Sequence, residues 1–343
     1  MIFKIKNVLS KYYKTFIDAI TFFLLLKILL WSFTTLAYSN DDFNVWLSSY
    51  KKLVLKRGIS QETVDIAFKN VKFLEKVIKY DRKQPEFYED TNTYVSKRAN
   101  NLRVQKAKNL LKKNLTLFNE IEKKFSVEKE ILLALWGIET NFGKHVGKMD
   151  IISSLATLSY DKRRRDFFSS QLFILLELID DKVIDPKTLY GSWAGAYGNF
   201  QFMPSTIKSY AIDYDNNNKI ELKSSLKDSL ASAANYINSI GWQKGEPCFF
   251  RVNLTNEINK KYVNSSARKI SNRLKISKWK RKGVTNIDGT DIKSNLKAAL
   301  ILPDGKPQTP AFLVFQNYEK ILKWNRSLRF GISVCTLANM IKA

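Results

Sequence analysis

Apolar residues recur at helical spacing through the first third of the chain, in Val45-Trp46-Leu47, Ala67-Phe68 and Val71-Lys72-Phe73-Leu74. Pro85 breaks that pattern. A charged stretch over 93–124 then predicts one long helix ending before Ser126. Ser126 is placed to cap the next helix, with Glu128 and Glu130 in a first turn where the dipole favours acids. Val127, Ile131, Leu132, Leu135, Trp136 and Ile138 give that helix a broad apolar face. It should be buried along most of its length and stop near Asn141-Phe142-Gly143. Further helices are expected over 164–180, 204–210 and 226–240, with a Gly-rich stretch, 191–198, between the first two.

The pattern changes at 249. Phe249-Phe250-Arg251-Val252 reads as a strand, followed by a Lys/Arg-rich middle and an apolar run over 298–302. An Asp304-Gly305 turn leads to Phe312-Leu313-Val314-Phe315, and helices over 318–323 and 331–341 close the chain. The expectation is a mainly α chain of α+β type. It has an N-terminal helical region (40–125), a core (126–248), a small β-containing insertion (249–310) and a segment returning to the core (311–343).

The first forty residues stand apart. Lys4, Lys6, Lys11 and Lys14 precede an apolar run over 19–36, which ends at Ala37-Tyr38-Ser39, a small-x-small cleavage pattern. Residues 1–39 therefore read as an export signal. The competing reading is an uncleaved membrane anchor over 19–36, although Lys27 interrupts a run already short of the roughly 20 residues a spanning helix needs.

Composition narrows the chemistry. In 343 residues, 57 Lys and Arg oppose 32 Asp and Glu, a net charge of +25. That favours an anionic partner, but lysine is abundant along the whole chain, and no basic tract is interleaved with aromatics as nucleic-acid grooves require. One histidine, His145, and two cysteines, Cys248 and Cys335, cannot build a Cys/His zinc site. No nucleophile elbow or phosphate loop is present. The cysteines pair in an oxidising compartment or remain as two buried thiols, and the sequence leaves both readings open.

Glu139 is the candidate catalytic group. It lies at the C-terminal end of the apolar helix, where burial and the negative end of the dipole both oppose ionisation. A carboxyl kept protonated near neutrality is what a general acid requires. A helix-end glutamate held by Arg or Lys is the ordinary alternative. The context bears on that choice: Trp136-Gly137-Ile138-Glu139-Thr140-Asn141-Phe142-Gly143, Ser154-Leu155-Ala156-Thr157-Leu158-Ser159-Tyr160 and Gly191-Ser192-Trp193-Ala194-Gly195-Ala196-Tyr197-Gly198-Asn199-Phe200-Gln201-Phe202-Met203-Pro204-Ser205. Together these resemble the lytic murein transglycosylase B family.

The resemblance runs over most of 81–248, starting at Asp81-Arg82-Lys83-Gln84-Pro85, and resumes over 310–341. It implies a lysozyme-like core, a periplasmic location, and non-hydrolytic cleavage of the β-1,4 bond between N-acetylmuramic acid and N-acetylglucosamine. Glu139 would be the single acid and base, and a 1,6-anhydro end would remain. The alternative is a weakly active peptidoglycan-binding scaffold of the same fold. Ser192 and Gln201 match sugar-contacting positions, with Gln201 also able to bond Glu139. Tyr236 matches an active-site tyrosine and Asn325 a cleft asparagine, while Phe330 replaces a family tyrosine. The expected partners are peptidoglycan glycan strands and cell-wall synthesis or divisome proteins, with no nucleic acid and a monomeric state. No cofactor is required. Asp213, Asp215, Asn217 and Lys219 alternate as in a calcium loop that Asp228 could close, or they form a polar turn. Asn218 stands at the sharp-turn glycine position of such a loop.

Overall fold

The computed structural model describes residues 40–83, 89–306 and 309–343. The expected export signal (1–39) and the Pro85 break lie outside them. No helix among the described residues is long and apolar enough to cross a membrane. The chain divides into two compact units, Met1–Leu47 and Ser48–Ala343. The described part of the first is the opening half of helix α1 (Asn40–Lys56), with Asp41 and Asp42 in its first turn.

The second unit continues through α2 (Gln61–Phe68) and α3 (Glu75–Arg82). The single helix expected over 93–124 is instead three: α4 (Thr91–Arg98), α5 (Asn101–Lys113) and α6 (Leu115–Phe125). Two asparagines cause the breaks. The Asn100 side chain accepts from Arg103 N and starts α5, and the Asn114 amide donates to the Leu110 carbonyl at the α5–α6 junction. Asparagine competes for backbone hydrogen bonds in this way.

Ser126 also departs from expectation. It ends α6 in the left-handed region at φ 53° instead of capping the next helix. Helix α7 (Lys129–Thr140) starts after Glu128. The Glu128 carboxylate accepts from Trp242 Nε1 and Gly245 N, both at 2.6 Å, so it ties down a distant loop rather than its own helix. Residues 131–137 of α7 are all buried, as its apolar face predicts.

Helix α8 (Ile151–Tyr160) is capped by the Asp150 side chain and packs against α9 (Arg165–Asp180). Two short strands, β1 (Met149–Asp150) and β2 (Tyr190–Gly191), pair antiparallel and bring the Gly-rich segment beside the start of α8. A Cβ on Gly191 would stand 2.2 Å from the Ala196 carbonyl oxygen, so only glycine fits that turn. Helices α10 (Pro204–Tyr210) and α11 (Leu226–Ser239) complete this part.

A six-stranded sheet follows. Its strands are β3 (Phe249–Leu254), β4 (Val263–Asn264), β5 (Leu274–Lys275), β6 (Val284–Asn286), β7 (Lys297–Ile301) and β8 (Ala311–Val314). The order is β4-β7-β8-β3-β6, with β5 also on β7. The sheet thus extends past position 310 and takes in β8 as its centre. Strand β8 and residues 298–301 of β7 are wholly buried, because both faces of these central strands are covered. One face holds a separate core around Trp279, on the short helix α12 (Ile276–Lys280), whose indole donates to Ala298 O at 2.8 Å. The chain returns through α13 (Gln316–Trp324) and α14 (Leu328–Lys342), which packs on α7. Cys248 and Cys335 form a disulfide with Cα atoms 6.1 Å apart, joining the start of the sheet region to α14.

Candidate active site

Helix α7 ends abruptly, with Asn141, Phe142 and Gly143 all at positive φ. The Gly-rich segment is bolted onto this end through Asn199. Trp136 Nε1 donates to Asn199 Oδ1 (3.1 Å), and Thr140 Oγ1 donates to Asn199 O (2.8 Å). The Asn199 amide in turn donates to the Leu222 and Lys223 carbonyls and to Ser229 Oγ. A Cβ on Gly143 would come within 2.7 Å of Asn199 Oδ1, which explains glycine there.

Glu139 is half-buried in the last turn of α7. Its carboxyl is pushed up to about 8 by burial, against the opposing effect of a hydrogen bond from Trp324. Trp324 Nε1 donates to Glu139 Oε1 at 3.0 Å. Arg103 Nε donates to Gly137 O (3.1 Å) and Lys106 Nζ to Asn141 O (2.9 Å), placing cations on the terminal carbonyls.

Trp324, the partner of Glu139, is not among the candidates that the sequence offers. It stands one position before Asn325, 185 residues from Glu139, and no local pattern links the two. Its ring stacks on Tyr236 (5.1 Å, 30°) and packs against Phe202 (5.2 Å), and Tyr236 stacks on Tyr210 (4.6 Å). Tyr236 OH donates to Lys323 O (3.1 Å), and burial pushes this phenol up to about 12. Tyr236 therefore braces the Trp324 ring. Asn325 ends α13 and lines a cavity of about 790 Å³ shared with Trp193, Met203, Trp324 and Arg326. Arg164 also lines it, and its Nε is buried without a hydrogen-bond partner. Phe330 is buried, with 3% of its surface exposed.

Ser192 and Gln201 form the frame of the Gly-rich segment. Ser192 Oγ accepts from Ala194 N (3.2 Å) and Ala196 N (2.9 Å). The Gln201 amide donates to Val146 O (3.2 Å) and Gly198 O (2.9 Å), rather than to Glu139, and its backbone is left-handed at φ 50°.

The acidic loop is a second cluster. Carboxylate oxygens of Asp213, Asp215 and Asp228 lie within 4.8 Å of one another. Asp228 is buried and accepts from Tyr214 N and Glu221 N, which closes the loop. Asp215 Oδ1 is buried without a hydrogen-bond partner, an orphaned acceptor that a cation would satisfy. Asn218 adopts φ 64°, so asparagine provides the left-handed turn otherwise made by glycine. Asn217 accepts from Lys219 N and donates to Glu221, while the Lys219 side chain lines a different cavity with Glu62 and Asp185.

A carboxyl that stays protonated near neutrality, fixed by an indole beside an open aromatic cleft, can deliver a proton to a sugar oxygen and take one back. Residues 42–339 match the Transglycosylase SLT domain family, and the chain belongs to it. It is similar to the membrane-bound lytic murein transglycosylase B of Escherichia coli K12, 31% identical over 223 residues. That match covers 63% of this chain and 58% of the E. coli protein, so the chain spans little more than half the length of that relative. Among solved structures, SltB3 from Pseudomonas aeruginosa in complex with NAG-NAM-pentapeptide superposes with a TM-score of 0.80 and 34% identity, covering 88% of this chain and 80% of that one. The E. coli lytic transglycosylase Slt35 in complex with calcium gives 0.73 and 26%, covering 86% and 92%.

Proposed function

We propose that this protein is an exported peptidoglycan lytic transglycosylase that cleaves the β-1,4 bond between N-acetylmuramic acid and N-acetylglucosamine without water. The carrying observation is the Glu139 carboxyl, raised to about 8 and held by Trp324. An indole N–H can only donate, so it engages Oε1 and leaves Oε2 to carry the proton. In the first step that proton passes to the bridging oxygen, the C1–O bond breaks, and the N-acetylglucosamine side leaves as an alcohol. The substrate's N-acetyl group stabilises the cation developing at C1. In the second step the muramic acid O6 bonds to C1, and Glu139, now a carboxylate, takes the O6 proton. Trp324 stabilises the carboxylate between the steps. Two-carboxylate glycosidases use a second acid as nucleophile or water activator, whereas here the nucleophile sits in the same sugar ring at high effective concentration. Ser192 and Gln201 shape the turn that borders the sugar, and Asn325 lines the cleft.

The Asp213–Asp215–Asp228 cluster is read as a structural calcium site. The orphaned Asp215 oxygen and the calcium complex of Slt35 support this.

Digestion of purified murein tests the main reading. Mass spectrometry should find 1,6-anhydro-muropeptides, and Glu139→Gln should abolish them. Reducing ends would mean hydrolysis and refute the lyase mechanism. No product from the native protein would favour a binding scaffold.

A further inference from the structure

The cavity beside Trp324 has a contributor from outside the helical core. Arg268 lies in the loop between β4 and β5, yet it lines the same cavity as Lys323, Trp324 and Arg326. The loop is tied at its neck by Asn264, which is buried in the sheet. Asn264 Nδ2 donates to Leu300 O (2.9 Å) and Ser271 O (3.1 Å), and its Oδ1 accepts from Ser271 N (2.9 Å). Arg268 N donates to Ser266 Oγ (3.3 Å) within the loop. This is a short, braced projection carrying an exposed guanidinium, with no ion pair to it among the described residues.

The cavity's charge is one-sided. Lys83, Arg164, Arg268, Lys323 and Arg326 line it; Arg164 is already paired with the buried Asp81, and no Asp or Glu is among the described lining residues. Like charges gathered in a concave space repel one another and raise the local concentration of anions. On a glycan strand that carries peptide stems, the carboxylates belong to the stems. Strands stripped of peptide keep only the lactyl carboxylate, close to the sugar ring.

Building on the reading above, we propose that Arg268 is a substrate-binding residue: the 264–271 loop brings it to the cleft to take a carboxylate of the peptide stem. The sheet region is then part of the substrate site, and it selects strands that still bear peptides. An arginine suits this task because its planar fork matches a carboxylate in two-point contact.

The test is calorimetric binding in the Glu139→Gln background, which retains strands uncut. Two ligands are compared: glycan fragments with intact stems, and the same fragments stripped by an amidase. Arg268→Ala should weaken stem-bearing fragments about five- to ten-fold, the scale of one charge-assisted contact in a partly open cleft. Stripped fragments should bind as before, and Arg268→Lys should retain part of the difference. Equal weakening of both ligands would point to the lactyl carboxylate or to a disturbed cleft, and would overturn the stem assignment. Unchanged binding of both would overturn it too, as would no binding by either protein. Continued cleavage by Glu139→Gln would refute the catalytic assignment instead, and the initial heats would still compare the two Arg268 forms.

Discussion

The helical core and the sheet region handle charge in opposite ways. The core places one carboxyl among apolar neighbours at the end of α7, where burial sets its protonation. Residues 249–306 carry 14 Lys and Arg against four Asp and Glu, most of them on the outside of a core built on Trp279. A single half-buried carboxyl is tuned by desolvation, while many exposed charges act through their summed field. The regions are also joined. The disulfide links them, Asp304 at the end of the sheet accepts from Thr91 and Arg329 in the core, and α13 leads from β8 to Trp324.

The largest test of this contrast is Glu139→Gln. Losing the acid and base should cost about 10²–10⁴-fold or more in turnover on murein. Stability should move the other way. The folded carboxyl titrates near 8 and the unfolded one near its ordinary value of 4.5, so the folded protein holds the extra proton. Its contribution to stability is full below about 4.5 and is lost as pH rises through 8. Thermal melts should therefore show Glu139→Gln gaining on the native protein between pH 5 and 8.5. A parallel pair of curves would mean that Glu139 is not held neutral.

Breaking the join between the regions comes next. Replacing both cysteines by serine should cost about 2–4 kcal/mol in urea unfolding, for a bridge across 87 residues. Turnover should survive at low temperature, because Trp324 and Glu139 still pair.

Trp324→Phe sharpens the comparison more gently. It removes a hydrogen bond that favours the Glu139 carboxylate, so the basic limb of the pH–rate profile should move upward from about 8. Turnover should fall about ten-fold, the scale of one charge-assisted hydrogen bond in the second step. An unmoved limb with the same loss would reduce Trp324 to packing.

The smallest effect belongs to the acidic loop. Calcium at ten times its dissociation constant should stabilise the chain by about 1.4 kcal/mol in thermal melts, and Asp215→Ala should remove this. No heat in a titration at millimolar calcium would make the loop an ordinary polar turn.

The sequence patterns map unevenly onto the structure. Helix α10 coincides with its expected span, and α9 and α11 differ by a single residue: Pro204 and Ser225 mark two of the starts, and an apolar run fills α9. The 93–124 stretch predicts one helix because its charges suit one, whereas Asn100 and Asn114 act through side-chain hydrogen bonds that composition does not display. Helix α8 is legible in the sequence as a motif and not as a helix, since Ser, Thr and Ala dilute its periodicity. Of the candidate site residues, Glu139, Tyr236 and Asn325 are linked through Trp324, while Ser192 and Gln201 turn their polar atoms to backbone groups.

By itself the sequence determined the helix that carries Glu139, the glycines that let the 191–205 segment approach it, and the acidic loop, because each depends on neighbours a few positions away. The tertiary structure decided which group holds Glu139, whether Cys248 meets Cys335, and which loop of the sheet reaches the cleft. Those depend on contacts far apart in the chain, 87 residues for the disulfide and 185 for Trp324 and Glu139, where the choice of partner comes from packing the whole chain and not from any local spacing.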